Sequence, residues 1–351
     1  MTVKSAEFGD HYHSFPYSKM PATDNNMRQS QPANCMYQKS CCLVGIPVQN
    51  GTTVNGCDMG PDAFRTAGLN DMLTGQGFSV SDLGNLAAAP GNLIEHNNRS
   101  VKQLEEIVSW AKCIQEASYK AITTHDLPIF LGGDHSLSIG TIPGVTRYAH
   151  ERDQEQFVLW LDAHPDFHSL YSTESGNLHG TPVAYFSGQK GFEGYYPRLS
   201  NKVADRNICM MGIRSVDAAE KQALSKTQIE IYDMRYINDH GIAKPLNRFL
   251  NRVAAAKGAL HVSLDVDFLE PEIAPAVGTA VPGGATYNDS HHIMEMLHES
   301  GLVTSLDLAE LNPFLDDRGK TASLMVDLCA SLVGHSLADP SLASHSALEQ
   351  A

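Results

Sequence analysis

No stretch of 18 or more apolar residues occurs in the 351-residue chain, so no membrane-spanning helix is expected. Positive charge is scarce. Twenty-five Lys and Arg stand against 40 Asp and Glu, for a formal charge of −15. That balance argues against a nucleic-acid backbone or an anionic membrane as main partner and suits a cationic small molecule. The seven cysteines, Cys35, Cys41, Cys42, Cys57, Cys113, Cys209 and Cys329, are odd in number and include no C-x-x-C pair, which speaks against a disulfide framework and a cysteine metal knot. No basic start leads into an apolar core at the N-terminus, so no signal peptide is expected and the cytoplasm is the expected compartment. Internal repeats are lacking, as is any Pro-, Gly- or Ser-rich linker between 40 and 335.

What is present is globular in composition, with 42% apolar and 19% charged residues. Residues 1–38 are polar and unpatterned and read as a disordered extension, 39–335 as a single catalytic domain, and 336–351 as a loose tail. From Cys41 onward, strand-length apolar runs recur: CCLVGIPV, LPIFLGG, FVLWLDA, NICMMG, LHVSLDVD and LVTSLDL. Several are apolar on both alternations, as parallel strands buried on both faces are. Helical patterns separate them, over Ser100 to Ile122, over 245–257 with Pro245 in its first turn, and over 288–299 with Asn288 or Asp289 as cap. Strands alternating with helices predict an α/β fold around a parallel sheet.

Open parallel sheets place ligands beyond the carboxyl ends of their strands. Three runs end in chemistry there: GGDHS with Asp134 and His135, DAHPD with Asp162, His164 and Asp166, and DVD with Asp265 and Asp267. A spacing of two along an extended segment puts Asp162 with His164, and Asp265 with Asp267, on one face. A single histidine after a strand is usually a satisfied loop residue, and a single D-x-D is often a cap. Three such ends together are different, because four unpaired carboxylates in one place are costly. Two divalent cations balance four aspartates, and carboxylates shared between them would hold the ions roughly 3.5–4 Å apart. Oxygen-rich ligands with two imidazoles and no thiolate favour Mn2+, with Co2+, Ni2+ or Fe2+ as alternatives and Zn2+ left open.

GGDHS, DAHPD and SLDVDFLEP resemble the three signature motifs of the ureohydrolases, the arginase and agmatinase superfamily, and the likeness extends over nearly all of 40–335, through NGCDMGPDAFRTAGL and GTAVPGGATY. The resemblance implies a three-layer α/β/α fold with a central, mostly parallel eight-stranded sheet. It implies two Mn2+ per subunit, one held by His135, Asp162, Asp166 and Asp265, the other by His164, Asp162, Asp265 and Asp267. The segment SGNLHG is closer to arginases of the bacterial type than to agmatinases. By that likeness Ser175, Asn177, Thr173 and His168 would face the α-carboxylate of L-arginine, Asp217 its α-amino group, and Glu310 its guanidinium. His179 would shuttle protons and Asp166 would take one from the attacking hydroxide that bridges the ions.

The expected reaction is hydrolysis of L-arginine to L-ornithine and urea, in a trimer or hexamer. Other ureohydrolases (agmatinase, guanidino-acid hydrolase, formiminoglutamase) are the alternatives within the superfamily. A one-zinc amide deacetylase and a metal-binding protein with a dead site are the alternatives outside it. Three positions depart from the usual pattern: Glu270 ends D-x-D-x-x-E-P, where Asp is usual, His168 stands where arginases commonly carry Asn, and Ala280 follows Thr279 where a proline is frequent. Ser175 and Asn177 by themselves would read as turn residues, and Asp217 as a helix cap before DAAEKQAL.

Overall fold

The computed structural model describes residues 38–335. The expected C-terminal tail, and the expected N-terminal extension but for its last residue, lie outside the described residues. Eight strands form one sheet: β1 (Ser40–Ile46), β2 (Ser79–Asn85), β3 (Leu127–Gly132), β4 (Gln156–Leu161), β5 (Ile208–Ile213), β6 (Glu230–Asp233), β7 (Ala259–Asp265) and β8 (Val303–Ala309). Every pairing is parallel and the spatial order is β2-β1-β3-β8-β7-β4-β5-β6.

The helices are α1 (Gly60–Thr66), α2 (Leu69–Gly75), α3 (Leu104–Thr124), α4 (Ser138–Glu151), α5 (Pro182–Phe186), α6 (Ala218–Leu224), α7 (Met234–His240), α8 (Ala243–Ala256), α9 (Tyr287–Ser300) and α10 (Lys320–Leu332). They cover both faces of the sheet, because the strands are apolar on both alternations. Cys41 and Leu43 of β1 and Phe157, Leu159 and Leu161 of β4 pack with Phe64, Leu69, Met234, Phe249, Ile293 and Met325 from α1, α2, α7, α8, α9 and α10. Cys42, Val44, Val158 and Trp160 face the other way, onto Ile107 and Ile114 of α3, Ile142 and Val145 of α4, and Val183 of α5. Each such Leu, Ile or Val contributes about 1.5–3 kcal/mol by leaving water.

The six apolar runs all form strands. β2 and β6 escaped the sequence pattern because they are the edge strands, half exposed and polar (SVSDLGN and EIYD), where one face needs no apolar side chain. Helix α3 starts at Leu104 rather than Ser100. Gln103 takes a left-handed φ of 48°, and the Lys102 amide donates to the Gly176 carbonyl at 3.1 Å instead of entering the helix. The cap of α9 is Thr286 rather than Asn288 or Asp289, and Asp289 completes a capping box with it.

One buried polar tie fixes the layer beneath the site. Asp307 on β8 accepts from Ser138 at 2.7 Å and Thr141 at 2.6 Å, both in the first turns of α4. The segment that follows β3 is thereby locked to β8.

Candidate active site

The strand order sets β3, β8, β7, β4 and β5 side by side. Their carboxyl ends open into one cavity of about 280 Å3, lined by His135, Asp162, His164, Asp166, His168, Ser175, Asn177, His179, Ser215, Asp217, Glu220, Asp265, Asp267, Thr279 and Glu310, among others. All six side chains expected to hold metal are in it. Of the expected substrate contacts, Thr173 is not. It is buried behind the wall, where its hydroxyl accepts the Gly176 amide at 3.1 Å and shapes the loop.

His135 occupies the floor. Its ring stacks on Trp160 with centroids 4.1 Å apart, and its Nε2 is 2.9 Å from the Ser263 hydroxyl of β7. Nδ1 then points at three carboxylates: Asp265 at 2.8 Å, Asp162 at 3.0 Å and Asp166 at 3.5 Å. Despite these separations, His135 Nδ1 and Asp162 Oδ2 are buried without a hydrogen bond. With a carboxylate oxygen of Asp166 they offer ligand atoms within 4.8 Å of one another, close enough to share one ion, and the Ser263 contact on the far nitrogen is the orienting contact such a ligand needs. A second convergence joins Asp162 to His164 and Asp267. His164 Nδ1 is 2.9 Å from Asp267 Oδ2 and 3.7 Å from Asp162 Oδ1, and Thr279 donates to Asp267 at 3.2 Å. Asp162 belongs to both groups.

Left to themselves, these four acids cannot all carry charge. Burial, then Asp267 and Asp162, push the Asp265 carboxyl well above the ordinary range, and burial with Asp162 does the same to Asp166. Burial opposes a proton on His135, but Asp162 and Asp265 outweigh it and raise its pKa. The cluster is one that compensating cations would suit. Two divalent ions fit it in charge and in donor type.

Backbone strain marks two further residues. Asp166 has φ 47° and Glu310 φ 66°, a region that non-glycine residues occupy mainly where surrounding contacts impose it. For Glu310 the contact is the Gly133 carbonyl, which accepts its amide at 2.7 Å. Gly133 must be glycine, since a Cβ there would overlap the Val48 carbonyl. Glu310 Oε1 accepts the His135 amide at 2.9 Å and lies 2.7 Å from His179 Nδ1. Burial alone would keep His179 neutral, but Glu310 lifts it to about 9.

The other side of the cavity comes from the 173–180 loop and the N-terminus of α6. Asp217 is the helix cap and forms a capping box with Glu220, so both uses read for it from sequence are compatible. His168 Nε2 lies 3.1 Å from Asp217 Oδ2 and its Nδ1 3.2 Å from Ser172. Ser175 and Asn177 line the cavity, with the Asn177 amide donating to Ser175 Oγ at 3.2 Å.

Sequence reasoning passed over Glu220 and Arg214, and it noted Glu270 without giving it a task. Glu220 takes the Phe167 amide at 2.9 Å, just after Asp166. Glu270 accepts the amides of Gly283 and Gly284 at 2.7 and 2.8 Å, outside the metal-ligand cluster. Arg214 spends its guanidinium on backbone carbonyls, those of Val281, Gly212 and Asp267 among them, and so ties β5 to the loops after β7.

Asp134, noted in GGDHS but given no task, is fully buried. Its Oδ1 accepts from Ser136 at 2.9 Å and its Oδ2 from Gly51 at 2.7 Å, and the Gly51 carbonyl in turn accepts the His179 amide at 3.1 Å. One carboxylate thus holds both the turn bearing His135 and the loop bearing His179. Its signal in the sequence is a buried-strand ending in an acid that cannot itself reach the D-x-D face. Asp134→Asn replaces one acceptor by a donor facing an N–H, at a cost of about 1–3 kcal/mol. Thermal denaturation should show the loss, and kcat should fall more than KM changes.

The three-layer α/β/α fold with this cluster at the carboxyl edge of its parallel sheet suits a hydrolase, and the family and relatives that the chain matches make it one acting on the C–N bond of a linear amidine. The chain belongs to the arginase family, whose model matches residues 39–334. It is 59% identical over 299 residues to the arginase of Brucella melitensis, covering 85% of this chain and 97% of that protein. It is 55% identical over 301 residues to the arginase of Agrobacterium fabrum, covering 86% and 93%. The crystal structure of arginase from Bacillus caldovelox superposes with a TM-score of 0.78 at 34% identity, over 86% of this chain and 100% of that one.

Proposed function

We propose that this protein hydrolyses L-arginine to L-ornithine and urea with two divalent cations, Mn2+ by preference. The observation that carries the reading is one cavity with two chemistries. Six ligand side chains share it with the Ser175–Asn177 loop and the capped N-terminus of α6. His135, Asp162, Asp166 and Asp265 would hold one ion and His164, Asp162, Asp265 and Asp267 the other. When bound, the ions supply Lewis-acid stabilisation and lower the pKa of water towards neutrality.

The chain's own groups do the rest. Glu310 has committed Oε1 to His135 and His179, which leaves Oε2 for a guanidinium N–H. An arriving guanidinium would replace the His179 ring as the cation beside that carboxylate and free His179 to exchange protons with solvent. Asp166 is buried beside the reacting end, with its carboxylate 3.5 Å from His135 Nδ1. It would take the proton released as water adds to the guanidinium carbon and return it to the departing amine of ornithine. Ser175 and Asn177 would donate to the α-carboxylate, with His168 beside them, and Asp217 would accept from the α-amino group. The same reading places the enzyme in the cytoplasm as a homo-oligomer. The six cysteines among the described residues are all free thiols, which suits a reducing compartment, and native mass measurement would read the assembly.

Urea release tests the proposal, with L-arginine and agmatine run side by side after loading with Mn2+, Co2+, Ni2+ or Zn2+. Urea from arginine alone, lost on chelation, is the expected result. Urea from agmatine instead would overturn the assignment of Ser175, Asn177 and Asp217 while keeping the metal chemistry. Ser175→Ala should raise KM for L-arginine about 10-fold, the worth of a hydrogen bond to a charged group, with kcat within about 2-fold.

A further inference from the structure

The segment just before α3 grips the loop that carries Ser175 and Asn177. Asn98 Nδ2 donates to the carbonyls of Leu170 at 3.0 Å and Thr173 at 2.9 Å. The Lys102 amide donates to the Gly176 carbonyl at 3.1 Å. Gly176, at φ +75°, has no room for a Cβ against the Ser100 carbonyl, so the two segments run in direct backbone contact. The lysine side chain continues along the same loop and ends with Nζ 3.3 Å from Asn177 Oδ1. Behind it, Asn50 Nδ2 bonds Gln103 Oε1 at 2.6 Å and Trp110 Nε1 bonds Asn50 Oδ1 at 3.2 Å, which steadies the start of the helix.

Two consequences follow. An ammonium has donors only, so its contact turns the carbonyl oxygen of Asn177 towards Lys102 and the two amide N–H bonds away from it. The charge around that amide also matters. Among the described residues the cavity is lined by seven carboxylates and by no lysine or arginine. Even with four of them satisfied by two divalent cations, Asp217, Glu220 and Glu310 remain. A substrate carboxylate entering there meets a field of its own sign unless a fixed positive charge stands beside its donors.

We infer that Lys102 is a specificity-determining residue: through Asn177 and by its charge, it selects guanidino substrates whose far end carries a carboxylate. This rests on the proposed arginine hydrolysis and adds a residue to it. Lys102 is exposed, so its replacement leaves the core untouched.

The test uses the full-length, Mn2+-loaded protein with Lys102→Met and Lys102→Arg. KM and kcat for L-arginine are measured with the inhibition constants of L-ornithine and of putrescine, which is ornithine without its carboxylate. In Lys102→Met, the KM for L-arginine and the inhibition constant of L-ornithine should each rise about 10-fold, the scale of a charge-assisted contact. The kcat and the inhibition constant of putrescine should stay within about 2-fold, and Lys102→Arg should recover most of the loss. The gap between wild type and Lys102→Met should narrow at high salt, because Lys102 stands at an exposed rim. Equal weakening of ornithine and putrescine, a fall in kcat alone, or no change would overturn the inference. Absence of urea from L-arginine with the unaltered protein would instead overturn the proposed function, and is seen before any variant is made.

Discussion

Asp162→Asn should all but abolish hydrolysis, with a fall in kcat/KM well beyond the roughly 10–100-fold that follows when a group merely supporting a metal ligand is lost. Asp162 is the carboxylate that both convergences use. One oxygen lies 3.0 Å from His135 Nδ1, and the other is 3.7 Å from His164 Nδ1 while accepting the His164 amide at 2.6 Å. The substitution keeps the shape and removes one negative charge and two good donor lone pairs. Metal content by mass spectrometry should drop below two ions per chain, and the thermal stabilisation produced by adding Mn2+ should shrink with it. Retention of two ions and of substantial activity would show that Asp162 is not a ligand shared by both ions.

Glu310→Gln carries the second large effect and separates charge from architecture. Glu310 stands at a strained φ of 66° on the end of β8 and accepts the His135 amide through Oε1. A glutamine carbonyl can keep that hydrogen bond, so the fold and metal content should hold. The negative charge that pairs with His179 would be gone, and with it the proposed partner of the guanidinium. Removing one member of a buried ion pair costs about 3–5 kcal/mol, so kcat/KM for L-arginine should fall about 10²–10⁴-fold. A fall of that size with two ions still bound would assign Glu310 to substrate recognition. Loss of metal in the same variant would make its bond to His135 the dominant role.

Much of the architecture was legible because parallel strands buried on both faces leave a strong mark. CCLVGI, PIFL, FVLWL and LHVSL could be placed as interior strands without any alignment. The edge strands could not, since SVSDLGN and EIYD answer to water on one side and carry no apolar alternation. The start of α3 was misplaced for a related reason. Ser100 to Lys102 have helical sequence character, yet their backbone groups are taken up by Gly176 and its neighbours. Local propensity near a helix end is worth tenths of a kcal/mol per residue and yields to such contacts.

The residues of chemistry divide in the same way. The sequence alone determined that His135, the Asp162–Asp166 group and the Asp265–Asp267 pair sit at strand ends, because the period of a strand and the carboxyl-edge rule need no partner. Only the tertiary structure decided that those ends are neighbours. The chain leaves β3, skips the places later filled by β8 and β7, and lays down β4, so segments more than a hundred residues apart close on one point. The roles of Asp134, Arg214 and Glu270 were equally invisible, because each is defined by backbone groups from other loops that no local pattern names. The same holds for the left-handed backbones of Asp166 and Glu310 and for the contact of Lys102 with Asn177. Periodicity fixes which face a side chain takes, but what it meets there depends on strand order and loop packing, which are set by the burial of the whole sheet.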